Sequence, residues 1–211
     1  MDQNNSSVFV RLARIGIEKT LCHPAIFEWQ QRTFNNYDNV KEEFAEQLDI
    51  TGQRILDVGC STGTAASQVI DMKTNKYIGI DVSEEYISTA NQRYPDGNFI
   101  YMDARKMSFD DDSFDVVWFN GVLHHMDSQL ISECLLDVQR VLKPDGRLLI
   151  AEPVFTPGMY LSNKLLEMDR GRFIRDQDGY RALLDGFSVE RERFFSFSLH
   201  RFCSFVAKIT T

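Results

Sequence analysis

The residues with most chemistry to offer lie at or beside the ends of short apolar runs. Asp57 sits within Ile55-Leu56-Asp57-Val58, and Asp81 closes Tyr77-Ile78-Gly79-Ile80. Asp103 follows Phe99-Ile100-Tyr101-Met102, and His124-His125 follow the run Val116-Val117-Trp118-Phe119. A carboxylate accepts hydrogen bonds from ligand hydroxyls and amines, and a histidine titrates near neutrality, where it can take a proton from a hydroxyl. Neighbouring residues point to opposite sides, so at most one histidine faces a shared pocket, and His125 is the candidate base. Between Asp57 and Asp81 the turn Gly59-Cys60-Ser61-Thr62-Gly63 leads from an apolar run into helix-tolerant residues. Glycine lets a ligand approach backbone N–H groups, and a helix N-terminus adds donors and partial positive charge. Strand, glycine turn and helix form a nucleotide-type site. The Gly59/Gly63 spacing matches neither GxGxxG nor GxxxxGK[ST], which counts against dinucleotides and nucleoside triphosphates. Asp81, eighteen residues past Gly63, stands where a carboxylate can accept both ribose hydroxyls of an adenosine ligand. The other role open to it is a helix cap.

These residues require alternating strands and helices to position them. Apolar runs predict strands over 54–58, 76–81, 98–102 and up to 119, with Asn120 and Gly121 at the last exit. Helices are expected from Thr64, with Ser61, Thr62 or Thr64 as cap; from Ser83, itself the cap; and over 129–142, where Leu130, Cys134, Leu135, Val138 and Val141 share a side. A turn at Lys143–Gly146 then leads to a strand over 147–151. The pattern predicts an α/β doubly wound sheet, mostly parallel, with helices on both faces. A loop and a helix over 159–168 break the alternation, so 153–176 is expected to be a lid-like insertion. A last helix over 177–184 and an antiparallel strand pair, 189–197 and 202–209, close the chain. Residues 1–50 read as an N-terminal helical cap and 51–211 as the core. Lys164, Arg170, Arg172 and Arg175 form a basic cluster that either holds an acidic group of an acceptor or is a solvated lid surface.

At 211 residues the chain suits one domain with a full core. Its net charge of −8 argues against nucleic acid as a partner, because phosphate binding needs clustered cations. Its apolar runs are too short for membrane insertion, and the start lacks the basic region of a signal peptide. Cys22, Cys60, Cys134 and Cys203 are scattered without metal-ligand spacing, so neither a metal nor a disulfide framework is expected, and a reducing cytoplasm fits. A monomer or homodimer is expected.

Leu56-Asp57-Val58-Gly59-Cys60-Ser61-Thr62-Gly63-Thr64 resembles motif I of the class I S-adenosylmethionine-dependent methyltransferases. Asp57, Gly59 and Gly63 match, and Ser61 stands where a middle glycine is usual. Ser108–Phe119 and Leu142-Lys143-Pro144-Asp145-Gly146 resemble the type 11, small-molecule group, with Asp145 in place of a glycine. The resemblance implies a Rossmann-like fold, S-adenosyl-L-methionine as cofactor, and in-line methyl transfer to a small-molecule acceptor. It implies a cofactor held by Asp57, Gly59, Cys60, Ser61 and Gly63 at the glycine turn, with Asp81 and Val82 at the ribose. Asp103 and Ala104 would meet the adenine, Asn120 (through its backbone) and Gly121 would line the fourth strand's exit, and Tyr37 would approach the methionine end. Tyr37 could equally pack under the N-terminal roof. Two other readings stay open: a nicotinamide-dependent oxidoreductase on a similar sheet, and a non-catalytic S-adenosylmethionine-binding protein.

Overall fold

The computed structural model describes residues 37–48, 50–168, 172–197 and 199–210. The expected helical cap therefore lies outside the described residues except for its last element, α1 (Asp38–Leu48). There follow β1 (Arg54–Val58), α2 (Thr64–Val69), β2 (Lys76–Asp81), α3 (Glu84–Arg93), β3 (Asn98–Tyr101) and β4 (Phe114–Asn120). A 3-10 turn (Leu123–His125) leads to α4 (Ser128–Val141) and β5 (Leu142–Val154). The chain ends with α5 (Tyr160–Met168), α6 (Gln177–Arg181), β6 (Phe187–Phe197) and β7 (His200–Ile209).

The seven strands form one sheet in the order β3-β2-β1-β4-β5-β7-β6. Pairings from β3 to β5 are parallel, and β7 and β6 close the edge antiparallel. Alternation along β4 explains why both faces must be covered. Val117 and Phe119 pack with Ile131, Leu135 and Val138 of α4, whereas Val116 and Trp118 pack with Val40 and Phe44 of α1 and Val69 of α2. The expected doubly wound sheet with its closing antiparallel pair is thus present. The strand order reverses between β1 and β4, and open α/β sheets bind ligands outside the carboxyl ends of strands at such a point.

Local chemistry accounts for most boundaries. Ser83 caps α3 as expected, accepting from the Tyr86 N–H at 3.3 Å, and Asp127 caps α4, accepting from Leu130 at 2.8 Å. The expected cap of α2 is corrected: Gly63 holds that position in the left-handed region with no side-chain bond, while the Thr62 and Thr64 hydroxyls bond each other at 3.1 Å. Strand β5 is longer at both ends than the 147–151 expected. Its pairing with β4 jumps from Phe114–Leu142 to Val116–Arg147, so the turn Lys143–Gly146 loops out within the strand rather than preceding it. Pro153 and Val154 extend β5 along β7, so the insertion leaves the sheet only after Val154. The last helix stops at Arg181, where the bonds Leu183 N–H to Tyr180 and Leu184 N–H to Arg181 tighten the chain into turns.

Candidate active site

A cavity of about 730 Å³ opens at the carboxyl ends of β1 to β4. Of the residues singled out in the sequence, Gly59, Ser61, Asp81, Val82, Asp103, Ala104, Gly121 and His125 line it. Tyr37, Asp57, Cys60, Gly63 and Asn120 are not on its wall. Tyr37 is buried against Phe197 of β6, ring centres 5.2 Å apart, and the roof expected above it lies outside the described residues.

The glycine turn works differently from expectation. Its amides do not face a ligand: Gly59 and Cys60 N–H donate to Ile80 O at 2.8 and 3.0 Å, and Gly63 N–H donates to Cys60 O at 3.0 Å. The Ser61 N–H donates to an Asp81 carboxylate oxygen at 3.0 Å. Glycine is needed at 59 for close packing, since a Cβ there would sit 2.7 Å from both Val122 methyls, with φ at +76°. Ser61 has φ +51°, which explains why glycine is usual there; a side chain in the left-handed region costs about 1–2 kcal/mol.

Asp81 is the polar centre of the wall. One carboxylate oxygen takes the Ser61 amide and the other takes the Ser83 amide at 2.9 Å. It therefore ties the glycine turn to the start of α3 but is not the helix cap. Partial burial raises its pKa, against the lowering effect of the Ser83 and Ser61 amides. Beside it Val82 and Tyr101 are apolar side chains left 68% and 56% exposed. Val122, Met126 and Leu130 also line the cavity, giving apolar walls of the kind that suit a planar base. Asp103 lies on the wall as expected, yet its carboxylate is gripped by Arg105, from Nε at 3.1 and 3.0 Å and Nη2 at 2.5 Å. The Arg105 guanidinium holds the Asp103 carboxyl below the usual carboxylate range. Arg105 itself lines the cavity, a member the sequence reading missed.

Asp57 lies beneath the turn, buried, and accepts from Tyr77 Oη at 2.8 Å. Burial pushes its carboxyl from 3.8 up to about 7, opposed by the tyrosine bond and reinforced by the Asp81 charge. Between those values the folded chain holds a proton that the unfolded chain has released, so stability falls as pH rises from about 4 to about 7 and levels above. The Asp57→Asn variant is expected to remove this slope, on the order of a few kcal/mol. Urea denaturation of both proteins across that range, subtracted, measures it; parallel pH profiles would contradict the assignment.

The two histidines do not point to opposite sides, since their rings lie 4.0 Å apart, but their surroundings differ. His125 lines the cavity, while the buried His124 points inward, its Nδ1 2.7 Å from Glu152 Oε2. Glu152 is fully buried and also accepts the N–H groups of Val122, Leu123 and His124 at 2.8, 2.7 and 3.3 Å. From the other side Arg175 donates to the carbonyls of Leu123 and Met126 at 3.4 and 3.1 Å. The turn that presents His125 is therefore held through its amides by a carboxylate and through its carbonyls by a guanidinium. Sequence reasoning missed Glu152 because the strand was expected to end at Ala151; its signal was an acid closing a buried run, as at Asp81. The basic cluster does not act as one group among the described residues. Arg175 holds backbone, and Lys164 pairs with Glu167 at 2.9 Å. Arg170 lies outside the described residues.

Among the described residues, the buried side-chain atoms without a hydrogen-bond partner include Ser61 Oγ, of a residue that lines the cavity, and Asn120 Oδ1, at the end of β4. A ligand spanning the cavity with polar groups at its β1/β4 end would satisfy such atoms. Together with Asp81 and the apolar walls, they fit an adenosine carrying an amino-acid arm, as in S-adenosylmethionine. Among the described residues no His, Cys, Asp and Glu group could hold a metal, and no helix is long and apolar enough to cross a membrane.

Comparisons with known proteins agree with this geometry. Residues 55–146 match the family model described as a methyltransferase domain. Over 122 residues, 54% of this chain and 53% of the relative, the chain is 36% identical to an O-methyltransferase of Aspergillus nomiae. It is 34% identical over 111 residues to the demethylmenaquinone methyltransferase of Renibacterium salmoninarum, covering 51% of this chain and 46% of the relative. The chain thus spans about half the length of these curated relatives. Among solved structures, an S-adenosylmethionine-dependent methyltransferase from Aquifex aeolicus superposes with a TM-score of 0.66 at 19% identity. That likeness covers 89% of this chain and 98% of the other, and it shows the fold.

Proposed function

We propose that this chain is a class I S-adenosylmethionine-dependent methyltransferase of the small-molecule type and that it transfers the methyl group of S-adenosyl-L-methionine to a small-molecule acceptor, a reading supported by the methyltransferase-domain match and the likeness to named methyltransferases. The observation that carries the reading is the cavity wall at β2 and β3, where Asp81 lies between the glycine turn and the exposed Val82 and Tyr101. Asp81 would accept the ribose hydroxyls with lone pairs left over from the Ser61 and Ser83 amides. Val82, Ala104 and Leu130 would enclose the adenine, with Asp103 at its amino group. Gly59, Ser61, Gly121 and Asn120 would hold the methionine end. Asp57, Cys60 and Gly63 would act from beneath by shaping the turn, and Tyr37 by packing under the cap. The cap at 1–50 and the insertion at 153–176 would close over the acceptor.

When bound, the cofactor supplies a methyl group already activated on a sulfonium. The chain's own residues then need mainly to orient the acceptor for in-line attack and exclude water, which can lower a barrier by about 7–11 kcal/mol in ideal cases. His125, held on its doubly tied turn, would take the proton of a hydroxyl acceptor. A nicotinamide cofactor is disfavoured because the amides of Gly59, Cys60, Ser61 and Gly63 are spent inside the protein and offer no cradle for a pyrophosphate. The acidic chain and the buried thiols Cys60, Cys134 and Cys203 support a cytoplasmic setting and no nucleic-acid partner. They leave monomer and homodimer equally open. An accurate mass of ligand released from the purified protein, followed by a methyl-release assay over hydroxyl, amine, thiol and carbon acceptors, tests the reading. Tight binding with no turnover on any acceptor class would favour a non-catalytic binding protein instead.

A further inference from the structure

Asp57 is a buried acid without a counter-charge. It is 3% exposed and accepts from Tyr77 Oη at 2.8 Å, and an aspartate is almost never so buried unless a cation pairs with it. Leu56 and Val58 pack toward α4, so Asp57 between them turns to the opposite face with Ile55. There β4 brings the neutral Trp118 into register with it, and α1 and α2 supply only apolar side chains such as Phe44 and Val69 to the core. The titratable groups that bear on it are Tyr77 of β2, the Cys60 thiol of the turn and Asp81 at the end of β2. Among the described residues, none of these is a cation. The next two residues of the chain, Val58 and Gly59, line the cavity. A positive charge for Asp57 can therefore come from the ligand.

We propose that Asp57 is a specificity-determining residue that separates the cofactor from its product by charge: its carboxylate, beneath the glycine turn, favours the sulfonium of S-adenosylmethionine over the neutral thioether of S-adenosylhomocysteine. The inference rests on the cofactor reading above. The two ligands share nucleoside and amino-acid arm and differ by one methyl group and one positive charge at sulfur. Contact is not required, because opposite charges separated by a water-poor layer attract several-fold more strongly than in water. Binding is then linked to a proton. Burial holds the Asp57 carboxyl at about 7, so near neutrality a large share of unliganded molecules carry the proton. A cation in the cavity favours the ionised form, so S-adenosylmethionine expels that proton. Its affinity rises as pH increases through about 6 to about 7 and levels above, whereas the thioether leaves the proton in place. Asp81 lies on the wall and also senses a cation, so the test has to separate the two acids.

The test is calorimetry of both ligands from about pH 5.5 to about pH 8, in two buffers of different ionisation enthalpy. The preference for S-adenosylmethionine over S-adenosylhomocysteine is expected to rise about five- to tenfold across that range, and near pH 7 the sulfonium should release roughly 0.3–0.4 proton more than the thioether. Asp57→Asn, of the same shape but unable to titrate, should flatten the rise and abolish the extra proton. Tyr77→Phe removes the bond that opposes protonation, so it should move the rise to higher pH. It is the deciding variant if Asp57→Asn does not fold, and an unmoved rise would then overturn the proposal. A rise that survives in folded Asp57→Asn would belong to Asp81 or to the ligand's amino group and would overturn it too, as would equal pH dependence for both ligands; the cofactor reading would stand in each case. Failure of the folded wild-type chain to bind either ligand would overturn both.

Discussion

Glu152→Ala is expected to cost the fold about 3–5 kcal/mol, the usual penalty for removing one member of a buried polar pair and leaving its partners unsatisfied. The carboxylate serves three backbone amides and the His124 ring in a fully buried position. No other group among these contacts can take the three amides over. Cofactor affinity should fall as well, because Gly121, Val122 and His125 of the same turn form part of the cavity wall. Glu152→Gln keeps the volume and one acceptor oxygen but presents an NH2 group to donors, so it should lie between wild type and alanine. Urea denaturation of the three proteins without ligand measures the first effect and calorimetry the second. A loss below about 1 kcal/mol in the alanine variant would show that the turn finds its bonds elsewhere.

Asp81→Ala is expected to weaken S-adenosylhomocysteine by roughly 30- to 150-fold, or about 2–3 kcal/mol, after allowing for water in place of the carboxylate. A carboxylate at an open strand end would leave the unliganded fold untouched when removed. The structure changes that expectation, because the Ser61 and Ser83 amides lose their acceptor. Ser61 and Ser83 are both partly exposed, so water can replace the carboxylate and the unliganded protein should lose only about 1–2 kcal/mol. Measuring affinity and unfolding free energy on the same variant separates the two roles. A stability loss with unchanged affinity would make Asp81 a tie between the glycine turn and α3 and would remove it from ligand binding.

The sheet was legible in the sequence because each parallel strand is built on a short apolar run, and α3 and α4 open on the capping residues Ser83 and Asp127. The acids ending those runs led to the cavity, since a charge closing a buried strand has to serve something. What stayed hidden depends on partners distant in sequence. Glu152 meets amides 28 to 30 residues away, and the Gly59, Cys60 and Ser61 amides are satisfied by Ile80 and Asp81, which belong to the neighbouring strand. Local reasoning sees free donors there, and tertiary pairing consumes them. Asp103 lines the cavity, but its pairing with Arg105 depends on a side-chain rotamer that periodicity does not encode. The Lys143–Gly146 turn was recognised, while its place inside a strand followed from the register with β4.

The most direct measurement is a calorimetric titration of the folded chain with S-adenosylmethionine and S-adenosylhomocysteine. One site of micromolar affinity for each is predicted, with a melting temperature that rises with ligand, by about 2.7 kcal/mol of added stability at one hundred times the dissociation constant. Absence of binding by both ligands to a sample shown to be folded would contradict the assignment of the cavity and, with it, the proposed methyl transfer.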